Sequence, residues 1–316
     1  MKVSVCMLAY NLEQFIAQAI DSVMMQETDF DYELVIGEDC STDRTRDICI
    51  AYQKKYPDKI RLLLREKNIG VMHNIVQTLH ACTGQFIALL DADDYWTSPH
   101  KLQKQADFLD THLSYALCCA QTVCFYEDKS REPQYQPPLG YKKYTLTIED
   151  VLSYSPIACC STMFRNGLFD SFPDWYFSLG MYDWPIWIMC AQHGKAVYLP
   201  ELMAAYRIHA NSTYSSQGLI KRLLDDVDFY KAINVYLSFK YQPLIREMLA
   251  QRYEGLAAQY LLQKDIPNTR RYALESLKSM PLRKYFSKRG IIVIYSLVIL
   301  AESLMFKRAI RRKGLQ

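Results

Sequence analysis

Apolar and polar positions along the N-terminal third of the chain fall into a repeating pattern of strand and helix. Val3 to Leu8 is an apolar-rich run of strand length, and the segment Glu13 to Met25 then sets Phe15, Ile16, Ala19, Ile20 and Val23 at helical spacing. The pattern returns with Tyr32 to Ile36 as strand, Thr42 to Lys55 as helix, Ile60 to Leu64 as strand, Val71 to Cys82 as helix and Phe86 to Leu90 as strand. A helix from Pro99 to Leu109 comes next. Such alternation predicts an α/β fold, a mostly parallel sheet with helices on both faces.

From Tyr115 to Arg207 the pattern is mixed. It predicts a strand near Ala116 to Val123, a polar, proline-bearing loop from Glu127 to Tyr141 and a strand from Ile157 to Phe164. A helix from Tyr182 to Gln192 follows, stopped by Gly194, and then a short strand from Ala196 to Leu199. Beyond Gly218 the pattern becomes three long amphipathic helices, Leu219 to Phe239, Pro243 to Gln263 and Asn268 to Ser279, the last two pairing as a hairpin. The division expected is an α/β domain over residues 1–215 and a helical region over 216–316.

Composition narrows the class. Half of the 316 residues are hydrophobic and the net charge is only +3, which describes a globular protein and excludes a disordered chain or a nucleic-acid binder. The ten cysteines include no Cys-x-x-Cys, which argues against a zinc knuckle or a disulfide frame and for reduced thiols in a cytoplasmic protein. The N-terminal apolar run is too short for a signal peptide. Near the C-terminus, Ile291 to Phe306 is a 16-residue apolar run interrupted by Glu302 and flanked by basic residues. It falls short of the roughly 20 residues that span a bilayer. It reads as a helix lying peripherally on anionic lipid at the inner face of the cell membrane, with a packed core helix as the alternative.

Ligands of open α/β sheets bind outside the carboxyl ends of the strands, and those ends are polar here. Tyr10 and Asn11 follow the first strand, Glu38, Asp39, Ser41 and Asp43 the second, Lys67 and Asn68 the third, and Asp91, Asp93 and Asp94 the fourth. Carboxylates this crowded raise one another's pKa and cost stability unless a cation compensates, and hard oxygen ligands select Mg²⁺ or Mn²⁺. The competing reading is that Asp93 and Asp94 merely cap the following helix.

The run Leu8-Ala9-Tyr10-Asn11, then Gly37-Glu38-Asp39-Cys40-Ser41-Thr42-Asp43, then Asn68-Ile69-Gly70 with Asn74, then Asp91-Ala92-Asp93-Asp94, resembles the family-two inverting glycosyltransferases over about the first 210 residues. The resemblance implies a Rossmann-like GT-A sheet with a nucleotide-sugar donor, UDP-linked by expectation, and Mn²⁺ or Mg²⁺ at the Asp-x-Asp motif. It implies a saccharide or lipid-linked saccharide acceptor, as in surface polysaccharide synthesis. By position, Tyr10 would lie near the nucleobase, Asp39 would bond the base, and Asn11 and Asn68 would belong to the donor side. Asp91 would contact the ribose or the sugar, and Asp93 would ligate the metal. The resemblance also makes Asp183 the catalytic base, where many relatives carry Glu-Asp and this chain carries Tyr182-Asp183. In Tyr206-Arg207-Ile208-His209, Arg207 would face phosphate and His209 would complete the metal shell. Two rivals are weighed against this: a metal-dependent nucleotidyltransferase, for which no Gly-rich phosphate loop followed by lysine is present, and a non-catalytic nucleotide-binding module.

Overall fold

The computed structural model describes residues 1–153, 157–169, 171–210, 212 and 217–280. By contacts the chain forms two compact units, Met1–Ser216 and Gln217–Gln316. The first unit is α/β. Its elements begin with β1 (Val3–Ala9), α1 (Ile16–Met24), β2 (Tyr32–Glu38), α2 (Thr45–Lys55), β3 (Ile60–Leu64), α3 (Val71–Ala81) and β4 (Phe86–Asp91). They continue with β5 (Tyr95–Trp96), α4 (Lys101–Thr111), β6 (Tyr115–Tyr126), β7 (Gln134–Gln136), β8 (Thr145–Leu146), α5 (Ile148–Ser153), β9 (Met163–Arg165), α6 (Asp183–Ala191) and β10 (Lys195–Ile208).

Among the described residues these strands make one sheet in the order β3, β2, β1, β4, β9, β6, β10, β5, with β7 on β6 and β8 on β10. The first four are parallel, and β9 joins them antiparallel to the parallel pair β6 and β10. All seven residues of β1 are buried, as a strand covered on both faces requires. Val3, Val5, Met7 and Ala9 share a core with Ile16, Ala19, Ile20 and Val23, the apolar stripe of α1. Each such aliphatic side chain contributes roughly 1.5–3 kcal/mol by leaving water.

The order places β1 between β2, reached forward through α1, and β4, reached by doubling back through α3. This is a topological switch point, where the loops after β1 and β4 part and leave a crevice. Register makes the edge level, since Ala9 pairs with Glu38 on one side and Leu8 with Asp91 on the other. Close approach of α3 is built into β2 by Gly37, whose carbonyl accepts from Asn74 Nδ2 at 2.7 Å, and a Cβ there would run into Thr78 Oγ1 and Asn74 Oδ1.

Three local expectations change. Ile157 to Phe164 is not one strand but a 3₁₀ turn at Cys159–Ser161 followed by β9. The strand expected from Ala196 to Leu199 runs on to Ile208, crossing Pro200 by register shifts between Leu199 and Ala204, because a bulge lets a strand absorb a proline. Gly194 is not a left-handed helix stop. It has no positive φ, and a Cβ there would meet Ser114 O at 2.8 Å and Ala116 N at 2.9 Å, so small size is what the position requires. All ten cysteines are free.

The second unit contains α7 (Leu219–Tyr236), α8 (Gln242–Leu262) and α9 (Ile266–Ser279). Val227, Tyr253, Leu256 and Tyr272 form its core, Tyr260 stacks on Tyr272 with centroids 5.5 Å apart, and Arg252 pairs with Asp226 at 2.6 Å. Among the described residues no helix is long and apolar enough to cross a membrane. The run Ile291 to Phe306 lies outside the described residues.

Candidate active site

Two groups of polar side chains line the crevice edge. The first belongs to the ends of β1, β2 and β3. Tyr10 is 44% exposed, with its ring free to meet a flat ligand. Asn11 adopts φ 54°, and its Oδ1 accepts from Thr42 N at 2.8 Å, fixing the turn after β2. Glu38 is buried, bonded to Ser41 N at 2.7 Å and paired with Arg46. Asp39 is buried too, its Oδ1 accepting from Ile69 N at 2.8 Å and its Oδ2 from Gly70 N at 3.0 Å. Asn68 Oδ1 accepts from Gly70 N as well, at 3.0 Å. Asp39 and Asn68 together hold the loop into α3, where Gly70 has φ 81°.

The second group surrounds the end of β4. Asp93 Oδ2 lies 3.1 Å from His209 Nε2, joining the loop after β4 to the end of β10 across 116 residues. Phe15 packs on the His209 ring at 4.7 Å between centroids. Asp94 is buried, with Oδ1 accepting from Arg207 N at 2.8 Å, Oδ2 without a hydrogen-bond partner among the described residues, and the Cys160 thiol beside the carboxyl. The capping alternative for Asp93 and Asp94 is not realised, because α4 begins at Lys101 after His100 with no side-chain cap.

Arg207 is engaged by the protein itself. Its Nε donates to Asp93 O at 2.8 Å, Nη1 to Glu127 and Nη2 to Gln18, and its guanidinium lies 4.6 Å from the Phe15 ring centre and 5.1 Å from that of Phe125. The sequence does not mark Gln18, Glu127 or Phe15 as site residues, since they belong to no motif and meet Arg207 only through the fold.

Asp183 is the first residue of α6, and its Oδ1 accepts from Trp184 N at 2.8 Å. Burial raises its pKa above the ordinary carboxylate value. Asp91 is pushed up to about 7, first by burial and then by the charge of Asp93, with Asp183 adding to the effect and a hydrogen bond from Tyr182 opposing it. Burial and the charges of Asp93 and Asp91 likewise push Asp94 well up. The fold therefore brings Asp91, Asp93, Asp94, Asp183 and His209 into one electrostatic neighbourhood. Tyr10, Asn11, Asp39 and Asn68 form the adjoining wall at the ends of β1 to β3.

Comparisons with known proteins bear on the fold and the family. An uncharacterised Mycobacterium tuberculosis protein, Rv1520, is 35% identical over 213 residues, and the match covers 67% of this chain and 60% of the length of that relative. A Bacillus subtilis putative teichuronic acid biosynthesis glycosyltransferase, TuaG, is 28% identical over 75% of this chain and 94% of its own. Among solved structures, Staphylococcus aureus TarS residues 1–349 in complex with UDP-GlcNAc superposes with a TM-score of 0.55 at 20% identity, covering 87% of this chain and 90% of that one. The Pyrobaculum calidifontis mannosyltransferase PcManGT, in complex with GDP-Man and Mn²⁺, gives a TM-score of 0.59 at 17% identity, covering 94% and 80%. These likenesses at low identity carry the fold. Residues 4–172 match the model of glycosyl transferase family 2, and with more than half of its length inside that match the chain belongs to this family.

Proposed function

We propose that the protein transfers a sugar, with inversion, from a UDP-sugar to an acceptor hydroxyl in the synthesis of a surface polysaccharide or glycolipid. The observation that carries the reading is the crowding of Asp91, Asp93 and Asp183 at the switch-point crevice with His209 placed 3.1 Å from Asp93. The printed descriptions of the UDP-GlcNAc-bound and GDP-Man-bound neighbours support a nucleotide-sugar donor. That of TuaG, a putative teichuronic acid biosynthesis glycosyltransferase, supports a polysaccharide acceptor.

Among the described residues no group of three or more metal-ligating side chains converges. Two protein ligands are nonetheless what a nucleotide site offers, because Mg²⁺ keeps waters and is bound by one or two side chains together with substrate phosphates. Asp93 and His209 would hold Mn²⁺ or Mg²⁺. They meet at 3.1 Å in this structure, and their imidazole and carboxylate are donors of the kind Mn²⁺ accepts. Burial and mutual repulsion raise the pKa values of Asp91 and Asp94 at the same place, and a cation there would favour their ionised forms. Such an ion supplies charge neutralisation for the departing diphosphate.

The remaining steps belong to side chains of this chain. Tyr10 stacks on the base, Asp39 fixes the loop that frames it and accepts from the base, and Asn11 and Asn68 hold the flanking turns. Asp91 accepts from donor hydroxyls. Arg207 steadies the acidic loop by donating to the backbone carbonyl of Asp93. Asp183 takes the proton from the acceptor hydroxyl on its Oδ2, since Oδ1 holds Trp184 N. Its raised pKa brings it nearer to working pH, as general base catalysis favours. Asp183→Asn is expected to lower transfer by about a hundred- to ten-thousand-fold while leaving donor affinity intact, measured by UDP release and by calorimetry. Undiminished transfer in that variant would remove the assignment.

A further inference from the structure

Tyr182 has so far no part in the reaction, yet it touches the site on three sides. Its hydroxyl lies 2.6 Å from Asp91 Oδ1 and 2.5 Å from Oδ2, donating one proton between them. Cys159 Sγ sits 3.1 Å from the same oxygen. A phenol has a single proton, and Asp91 receives it, so the thiol is the donor in that contact. The third anchor is in the backbone, where Tyr176 Oη donates to the Tyr182 carbonyl at 3.0 Å. Tyr176 is itself fully buried. The peptide between Tyr182 and Asp183 is therefore held from one side by Tyr176, while the Tyr182 ring reaches across to the end of β4.

We propose that Tyr182 is a positioning residue that ties the start of α6, where the base Asp183 sits, to the donor-side carboxylate Asp91, so that donor and base are held at one fixed separation. The inference deepens the glycosyltransferase reading and rests on it. A single displacement needs the acceptor oxygen, the anomeric carbon and the leaving oxygen in line, and small misplacements of either flank are costly in rate. Asp91 and Asp183 come from elements far apart in sequence, and the Tyr182 hydroxyl joins one to the neighbour of the other. An ionised carboxylate offers about four lone-pair sites, so one phenol leaves room for donor hydroxyls on Asp91. Burial and the adjacent carboxylate push the phenol pKa well up, which keeps Tyr182 a donor. An acidic side chain at this position would do the opposite and repel Asp91.

The test is a double-mutant cycle on intact protein with Mn²⁺ and a panel of UDP-glucose, UDP-galactose and UDP-N-acetylglucosamine. Affinity is read by calorimetry for whichever sugar nucleotide the wild type binds most tightly, and turnover by UDP release. Tyr182→Phe is expected to weaken affinity by about fivefold, to lower kcat by about tenfold and to keep the thermal midpoint within about 4 °C. In an Asp91→Asn background the same change is expected to cost less than about twofold in affinity, because Tyr182 acts through Asp91. Cys159→Ala, which leaves the phenol in place, is expected to give a smaller loss in the same direction and replaces Tyr182→Phe in the cycle should that variant unfold. Unchanged affinity and turnover in the single variant, or costs that multiply in the double variant, would overturn the inference and leave the glycosyltransferase reading standing. A wild type that binds none of the panel removes both.

Discussion

The ends of β2 and β4 lie on either side of β1 and carry the same kind of residue, but the protein treats their charges in opposite ways. At β2, Glu38 is neutralised by Arg46 and Ser41 N, and Asp39 by two backbone N–H groups, so both buried acids find their partners within the fold. At β4, Asp91, Asp93 and Asp94 meet one phenol, one imidazole, one backbone N–H and the thiols of Cys159 and Cys160, with no cationic side chain paired to Asp91 or Asp94 among the described residues, and burial with mutual repulsion drives Asp91 to about 7. The first set is a framework that fixes the loops after β2 and β3. The second is a crowded acidic cluster in which burial and repulsion raise the pKa of Asp91 and Asp94, and it is the place where the proposed donor-bound cation would act.

Substitutions can break or sharpen this contrast. The largest effect on stability is expected at Lys101, a cation close in sequence to the acidic loop that does not serve it. Its Nζ is fully buried, 4.3 Å from the Trp96 ring centre and 2.7 Å from Gln105 Oε1. Burial lowers its pKa to about 7, whereas an unfolded chain keeps the proton to about 10.4. Between those values the unfolded state holds the extra proton, so stability rises with pH across that window and is lowest below about 7. Lys101→Met is expected to flatten that rise and to stabilise the protein at pH 6 by about 2–4 kcal/mol, read from urea melts at pH 6 and pH 9.5. An unchanged slope would place the ammonium against a counter-charge.

A middle-sized effect of the other sign is expected at β2. Asp39→Ala strands the N–H of Ile69, while Gly70 N keeps Asn68 Oδ1 as its acceptor, and is expected to cost about 1–3 kcal/mol with no ligand present. The smallest effect is expected at β4, where Asp93→Ala removes a repelling charge along with the His209 contact and is expected to shift metal-free stability by less than about 1 kcal/mol. Equal losses at Asp39 and Asp93 in matched urea melts would erase the distinction between framework and site.

Much of the framework was legible in the sequence because apolar runs bounded by polar turns set the strands. Ile60 to Leu64 and the start of β1 fall where periodicity puts them, and the acidic residues stand at and just after the ends of β2 and β4. The reading failed where tertiary packing decides. Cys159 to Ser161 is as apolar as a strand, but it turns so that Trp96 Nε1 can reach Cys160 O at 2.8 Å. The extension of β10 past Pro200 rests on bulged pairing with β6, which local pattern does not encode. Within the site, motif positions announce the acids and His209, whereas the bonds that orient them, Tyr182 to Asp91 and Arg207 to Gln18, span 91 and 189 residues and leave no local signature.

The most direct test of the central claim is a thermal-shift titration of wild type and Asp93→Ala with UDP and UDP-sugars, each with and without Mn²⁺. A ligand that binds only the folded state stabilises it by an amount set by the logarithm of its concentration over Kd. The account expects a Mn²⁺-dependent rise with uridine nucleotides in the wild type that is lost in Asp93→Ala, although the two proteins melt alike without ligand. An equal rise in both proteins, or none in the wild type, would contradict it.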